Sequence, residues 1–307
     1  MERAAALIIG DWGNSNARMW LCDAVGDVID TRRGPGIATL RSDPGAIATA
    51  FVQMTAGWPP AIPALLAGVV GAIFGWCDAG YLPCPVAISE VGGAMVQAPY
   101  DDRPVWIAPG VRCTNPWGEP DTMRGEEVQI AGWAAQHHGP DARVALPGTH
   151  CKWAHVEAGQ ITAFHSAISG ELFALLTGHS VMVDRHARGA PHDADAFAQG
   201  VELTRRTGGP DLSALLFAAR ARQATGAMTP EAAPSFLSGI VIGCDIRWVL
   251  RNDDGPALPL WLVGVPPLAD LYAKALAMCD RRAEVADGDA MMRAGLMTIA
   301  LRNGVIG

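Results

Sequence analysis

"GDWGNSNARMWLCDAVGDVI", residues 10–29, is the stretch that decides the fold. An apolar run reaches Asp11, breaks into Gly13, Asn14 and Ser15, and resumes at once as Ala17-Arg18-Met19-Trp20-Leu21. A carboxylate at a strand end beside a tight glycine turn has a chemical use. Backbone N–H groups in such a turn can cradle phosphate oxygens. Gly13 lets the backbone approach closely because it carries no Cβ, and Asp11 can hold Mg2+ next to the phosphates. Taken alone, Asp11-Trp12-Gly13 reads more simply as an ordinary hairpin turn, since Asp and Gly are common turn formers.

Outward from this stretch, strands are expected over 4–9, 17–22 and 28–33, with a hairpin turn at 23–27. A helix is expected over 43–58, with Asp43 as N-cap and Pro44 at its first position. Residues 64–70 read as a buried strand. The Gly- and Pro-rich span 71–120 offers only short strands at 86–89 and 104–108. A helix over 125–138 places Glu126 and Glu127 in its first turn, where the helix dipole favours carboxylates.

A strand over 143–146 then runs into "PGTHCKWAHVEAGQITAFHSAIS", residues 147–169. The opening logic returns: strand, polar glycine turn at Pro147-Gly148-Thr149-His150, second strand, turn, third strand. Gly13 and Gly148 lie 135 positions apart (148 − 13). The echo implies two related halves, and the pairing of Asp11-Gly13 with Gly148-Thr149 favours the phosphate reading over the plain turn. Beyond it, helices are expected over 171–177, 194–206, 212–224, 230–251, 268–278 and 287–302, with strands at 259–263 and 284–286.

Composition narrows the class. Half of the 307 residues are hydrophobic, ample for a large core and long for one domain. A formal charge of -8 argues against nucleic-acid binding. The most apolar long stretch, 236–250, is interrupted by Asp245 and Arg247 and reads as too short to span a membrane. The first ten residues, with one Arg and a brief apolar run followed by Asp11, are not expected to act as a secretory signal. Seven cysteines without a Cys-x-x-Cys read as free thiols in a reducing cytoplasm, so a cytoplasmic location is expected.

Two glycine hairpins facing one another across a cleft resemble the actin-like ATPase superfamily, which includes sugar kinases, hexokinases and acetate kinase. The resemblance implies a two-domain α/β fold of the actin-like ATPase (ribonuclease H-like) kind with an interdomain cleft. It places the first phosphate loop and the sugar-acid side in 1–141. The second loop and an adenosine segment, "LWLVGVPPLADLY" at 260–272, fall in 142–307, and the last helix is free to pack back on the first domain.

Longer matches follow in order along the chain: "DWGNSNARMWL" at 11–21, "MRGEEVQIAG" at 123–132, "LPGTHCKW" at 146–153, "ISGEL" at 168–172, "DADAFAQGVE" at 193–202 and "FLSGIVIG" at 236–243. Together they resemble the 2-dehydro-3-deoxygalactonokinase family. The resemblance implies ATP- and Mg2+-dependent phosphorylation of 2-dehydro-3-deoxy-D-galactonate at its 6-hydroxyl, in galactonate breakdown ahead of an aldolase. It carries phosphate contact onto Asp11, Gly13, Asn14 and Ser15, and onto Gly148, Thr149 and His150, with Gly264 in the adenosine segment. The form of that segment here, Gly264-Val265-Pro266-Pro267-Leu268, departs from the family's Gly followed by Thr and Ser. The prolines remove N–H donors and hydroxyls, which leaves the nucleotide preference open.

Phosphoryl transfer also needs a group that orients or deprotonates the attacking hydroxyl. Glu126 is the first candidate, with Glu127 and Asp11 behind it; adjacent side chains cannot both point into one cleft, and both glutamates can equally be dipole-favoured acids. The keto acid's carboxylate wants a cation, for which Arg124 comes first and Arg18 second; Lys152 could instead reach phosphate. Trp12 either lines the sugar cleft or packs in the core. A Cys151 nucleophile has no supporting partner. Asp184, His186, His192, Asp193 and Asp195 match no metal spacing. The expected partners are a keto-deoxy sugar acid and a nucleotide, not nucleic acid or membrane, with a homodimer open. The rivals are a kinase for another sugar acid, a phosphatase of the same superfamily, or a sugar sensor with a dead nucleotide site.

Overall fold

The structure, a computed structural model, describes residues 4–41, 43–139, 141–206, 211–251 and 258–306. In chain order the elements are β1 (Ala5–Trp12), β2 (Asn16–Asp23), β3 (Val28–Pro35), α1 (Ile37–Leu40), α2 (Pro44–Met54), β4 (Ala64–Ala67), β5 (Tyr81–Pro83), β6 (Val86–Ala87), β7 (Val96–Gln97), β8 (Val105–Ile107), β9 (Gly110–Thr114), β10 (Pro120–Met123) and α3 (Glu126–Gln136). They continue as β11 (Ala142–Leu146), β12 (Cys151–Glu157), β13 (Gln160–Ala167), α4 (Ser169–His179), α5 (Ala194–Arg206), α6 (Leu212–Ala224), α7 (Ala233–Arg251), β14 (Leu260–Gly264), α8 (Leu268–Met278), β15 (Glu284–Asp287) and α9 (Gly288–Arg302). They form two compact units, one of 1–144, 154–165 and 286–307, the other of 145–153 and 166–285.

The internal echo is visible in the strand order. One sheet runs β3-β2-β1-β4-β8-β7, and another runs β15-β14-β11-β12-β13-β6. Each therefore contains a three-strand meander whose first strand neighbours a later one: β3-β2-β1-β4 in one, β13-β12-β11-β14 in the other.

In the first unit, β1 pairs antiparallel with β2 and parallel with β4. Its strand does not stop at the carboxylate: pairing continues through Asp11 opposite Arg18 and Trp12 opposite Ala17. The ladder lasts until Gly13, whose N–H closes the turn on the Asn16 carbonyl at 2.9 Å. β4 ends earlier than expected because Gly68 takes φ +96°, a left-handed backbone that suits glycine. The Gly- and Pro-rich span holds a small sheet, β10-β9-β5, that hydrophobic periodicity did not reveal. α2 starts as expected, with the Asp43 side chain accepting from the Gly45 N–H, a cap worth about 1 kcal/mol. α3 and α9 pack backbone to backbone: a Cβ at Gly132 would overlap the Met291 carbonyl, and one at Gly295 would overlap the Val128 carbonyl.

In the second unit α5 and α7 meet through Gly200 and Gly239, where an added Cβ on either would strike the other helix's backbone. Phe197, Ile242, Ile246, Leu262, Tyr272 and Leu276 fill the core beside β14 and α8. The helical stretch 230–251 proves long and apolar enough to cross a membrane by length and composition, unlike the shorter span read from the sequence. Yet 67% of its apolar window is buried inside the protein, which marks it as a core helix.

Candidate active site

The first unit gathers the sequence motifs at the carboxyl ends of β1 and β4. Asp11 is half-buried, and its Oδ2 accepts from Arg18 Nη2 at 2.7 Å. Arg18 also bonds Asp289, near the start of α9, so one guanidinium bridges two carboxylates. Burial pushes the Asp11 carboxyl above its ordinary range, against the pull of Arg18. The turn tip, Asn14 and Ser15, is exposed. The Gly13 amide does not point outward as expected, because it is spent on Asn16. The Gly13 and Asn14 carbonyls accept from the Ile37 and Ala38 amides, which fixes the turn against α1. Gly36 is required there: a Cβ would overlap the Asn14 carbonyl.

The α3 start stands beside this strand end. A Cβ on Gly125 would lie 3.5 Å from the Gly68 Cα, and one on Gly68 would lie 3.2 Å from Asp11 Oδ1. The backbone of the Arg124–Gly125 step is held by the two glutamates that follow it: Glu126 Oε2 accepts from the Arg124 N–H at 2.9 Å, and both Glu127 oxygens accept from the Gly125 N–H at 2.8 Å. Glu127 is completely buried, and burial together with the Glu126 charge pushes its carboxyl up to about 8. That placement buries it away from any ligand, so it does not stand behind Glu126 as the expected alternative base. Trp12 is likewise a core side chain: it is fully buried, donates to the Pro35 carbonyl at 2.9 Å and meets Trp76 edge-on.

Arg124 is positioned with unusual care. Its Cζ lies 4.2 Å from the Tyr81 ring centroid, and Nη2 donates to the Gly80 carbonyl at 2.9 Å. Its Nε and Nη1 are buried and have no hydrogen-bond partner. A buried donor without a partner is costly in a protein interior, about 1–3 kcal/mol and more for a charged group. They lie on opposite edges of the guanidinium, on either side of the Nη2 that Gly80 holds, so each offers its own N–H to an acceptor.

In the second unit the loop after β11 rests on the start of α4. The Thr149 carbonyl accepts from the Glu171 N–H at 2.8 Å, and His150 Nε2 meets Glu171 Oε2 at 2.9 Å. Gly170 has no room for a side chain, since a Cβ would overlap the Gly148 carbonyl. Lys152 is buried and donates to Ser166 Oγ at 2.6 Å, so its ammonium is directed at the β13 strand. Gly264 ends β14, where a Cβ would lie 3.5 Å from Pro147 Cδ. Beside the loop is a cavity of about 310 Å³. Gly148, Ser169 and Gly170 border it at one side, Pro267, Leu268 and Tyr272 at another, and Ser238, Val241 and Ile242 of α7 at a third. Cys151 is buried, and burial holds its thiol well above the ordinary range, which removes it as a nucleophile.

No group of three or more His, Cys, Asp or Glu able to hold a metal occurs among the described residues. Mg2+ in phosphoryl-transfer sites commonly takes one or two carboxylates and completes its shell with water and phosphate oxygens. Asp11 fits that sparse mode: Arg18 occupies Oδ2, while Oδ1 faces Gly68, a residue with no side chain. Sequence reasoning did not single out Asp289 or Tyr81; Asp245 it noted only as a break in an apolar run.

Comparison with known proteins adds independent findings. A family model described as 2-keto-3-deoxy-galactonokinase matches residues 11–299. A Rhizobium meliloti (strain 1021) protein described as a 2-dehydro-3-deoxygalactonokinase is 33% identical over 297 residues, covering 94% of this chain and 95% of its own. The Escherichia coli (strain K12) 2-dehydro-3-deoxygalactonokinase is 32% identical, covering 96% and 98%. A solved Sinorhizobium meliloti structure described as a 2-dehydro-3-deoxygalactonokinase protein matches with a TM-score of 0.85 at 31% identity, covering 96% of this chain and 98% of that one.

Proposed function

The chain belongs to the 2-keto-3-deoxy-galactonokinase family, carbohydrate kinases, and has the actin-like ATPase fold; from that premise we propose how its residues divide the work. The reaction is transfer of the ATP γ-phosphoryl group to the 6-hydroxyl of 2-dehydro-3-deoxy-D-galactonate, giving the 6-phosphate. The unit of 1–144, 154–165 and 286–307 supplies the sugar-acid side and that of 145–153 and 166–285 the nucleotide side, which moves the last helix out of the 142–307 half read from the sequence. The observation that carries this reading is the Arg124 guanidinium, held at Tyr81 and Gly80 just before α3, with two buried nitrogens that lack partners among the described residues. A keto-deoxy sugar acid brings a carboxylate that can pair with this cation through a charge-assisted hydrogen bond. A neutral sugar would leave that cation unsatisfied.

Each step then has a residue. Arg124 binds and orients the acid end. Glu126, half-buried at the α3 start, accepts the proton of the attacking hydroxyl. Asn14 and Ser15 at the first turn offer backbone amides to phosphate oxygens, as do Gly148, Thr149 and His150 at the second. Mg2+, held by Asp11, would neutralise phosphate charge when bound. The second-unit cavity, largely apolar and of the size usual for small-ligand sites, takes the adenosine. Pro267 closes one side of it with apolar surface in place of a hydroxyl.

The test is coupled ADP release with 2-dehydro-3-deoxygalactonate, its C4 epimer 2-dehydro-3-deoxygluconate, and a neutral aldose. Turnover that is highest with the galactonate, lower with the epimer and absent with the aldose is expected. ATP hydrolysis without sugar phosphate would replace the reading with a phosphatase.

A further inference from the structure

Asp245 lies on α7 in register with the cavity wall. Ser238, Val241 and Ile242 border the cavity, and 238, 241/242 and 245 recur at helical spacing, so Asp245 continues that face by one turn. A carboxylate in a buried apolar stripe needs partners, and this one has them from three directions. Its Oδ1 accepts from Trp153 Nε1 at 2.9 Å, and its Oδ2 accepts from Ser169 Oγ at 2.9 Å and from Tyr272 Oη at 2.7 Å. Ser169 opens α4, Tyr272 sits on α8, and Trp153 is on β12, the strand that leaves the Gly148 loop. Both Ser169 and Tyr272 border the cavity themselves.

We propose that Asp245 is the positioning residue of the nucleotide subsite, holding the loop-bearing wall and the adenosine-segment wall in one geometry through Ser169 and Tyr272. This rests on the reading that the cavity takes the nucleotide. The path to the phosphates is short: Ser169 precedes Gly170 and Glu171, and these two pack against the Gly148 and Thr149 carbonyls. The path to the base is as short, since Tyr272 and Leu268 lie on the same helix and both line the cavity. There is a chemical consequence as well. A hydroxyl has one proton. With those protons committed to Asp245, the Ser169 and Tyr272 oxygens retain only lone pairs, so any bond they make to a ligand accepts from it. Burial pushes the Asp245 carboxyl up, and the donors from Tyr272, Ser169 and Trp153 oppose that shift.

The experiment uses the full chain and four proteins: wild type, Asp245→Asn, Ser169→Ala and Tyr272→Phe. Steady-state kinetics give KM for ATP, KM for the sugar acid and kcat, and calorimetry gives the affinity for a non-hydrolysable ATP analogue. Asp245→Asn puts a donor amide where the carboxylate only accepts, so either the Ser169 and Tyr272 hydroxyls reverse their bonds and turn their protons elsewhere, or the Trp153 bond is lost. The expected result is a rise in the ATP KM and the analogue Kd of about tenfold or more, with smaller rises for the two hydroxyl deletions. The sugar-acid KM should stay within about twofold. If Asp245→Asn does not fold, Ser169→Ala combined with Tyr272→Phe decides the matter. Unchanged nucleotide affinity in the hydroxyl deletions, or loss of stability and kcat with both KM values unmoved, assigns Asp245 a purely structural role and overturns the proposal. No analogue binding to the wild type overturns the nucleotide reading of the cavity and this inference with it.

Discussion

The Arg124 guanidinium stands 4.2 Å from the centre of the Tyr81 ring, and that ring rests against Gly110, where a Cβ would come within 2.7 Å of it. With Nη2 on the Gly80 carbonyl and the ring fixing the plane, Nε and Nη1 are the nitrogens left without partners among the described residues. Arg124→Lys keeps the charge and loses the planar edge. The sugar-acid KM should rise by about tenfold or more, with the ATP KM unchanged. Tyr81→Phe should behave as wild type, while Tyr81→Leu should raise the sugar-acid KM by roughly 2- to 10-fold. Steady-state kinetics with each substrate varied in turn will read both.

Asp11 is the second test. Asp11→Ala removes the carboxylate proposed to hold the metal and leaves Arg18 with Asp289. The variant should fold, because the ladder through β1 does not depend on that side chain, and kcat should fall by about 100-fold or more. Turnover near wild type in coupled ADP release would strip Asp11 of the metal role. Asp289→Asn should be milder, a loss of roughly 2- to 5-fold, since the Asp11–Arg18 pair survives it.

Glu127 makes stability depend on pH. Its folded-state carboxyl is raised from 4.5 to about 8, so the folded protein holds a proton that the unfolded chain releases. The contribution is fully present below pH 4.5 and is lost as pH rises through the folded value near 8. Across that window one proton changes stability by about 1.4 kcal/mol per pH unit. Glu127→Gln should flatten this part of the profile and raise stability relative to wild type at pH 8, measured by urea denaturation at successive pH values. An identical slope in wild type and variant would show that Glu127 titrates normally.

Two glycines on α4 give a paired control. Gly170→Ala drives a methyl into the Gly148 carbonyl, so the ATP KM should rise by about tenfold while the sugar-acid KM holds. Gly178→Ala on the same helix meets nothing within 4 Å and should stabilise the protein by about 0.5–1 kcal/mol with kinetics unchanged. Equal kinetic effects from both would mean that the helix, not the loop contact, sets nucleotide affinity.

Much of this architecture was legible in the sequence, and the exceptions have physical causes. The two hairpins could be read because Gly13 and Gly148 interrupt strongly apolar strands, and α5, α6 and α8 fall on the expected residues. The β10-β9-β5 sheet could not, because its short strands carry exposed or polar residues and little alternation. Tyr81 was hidden with it, being an ordinary exposed tyrosine until the fold brings Arg124 over its ring. Glu126 and Glu127 looked interchangeable in sequence. The 100° step of the helix separates them, leaving one half-buried and the other sealed in. Asp245 did leave a signal, a carboxylate in an apolar helix, but its partners lie 27 to 92 residues away in sequence.

The seam between α3 and α9 has a consequence for how the protein is made. Gly132 and Gly295 let two helix backbones touch, and residues 286–307 belong to the unit that starts the chain. During synthesis the Arg124–Glu127 corner therefore waits, with Val128 and Gly132 uncovered, until α9 clears the ribosome. A stop codon before residue 286 would spare every sequence motif quoted above and still deprive the first unit of its closing helix. Such truncated chains should surface as chaperone clients, not as half-active enzyme.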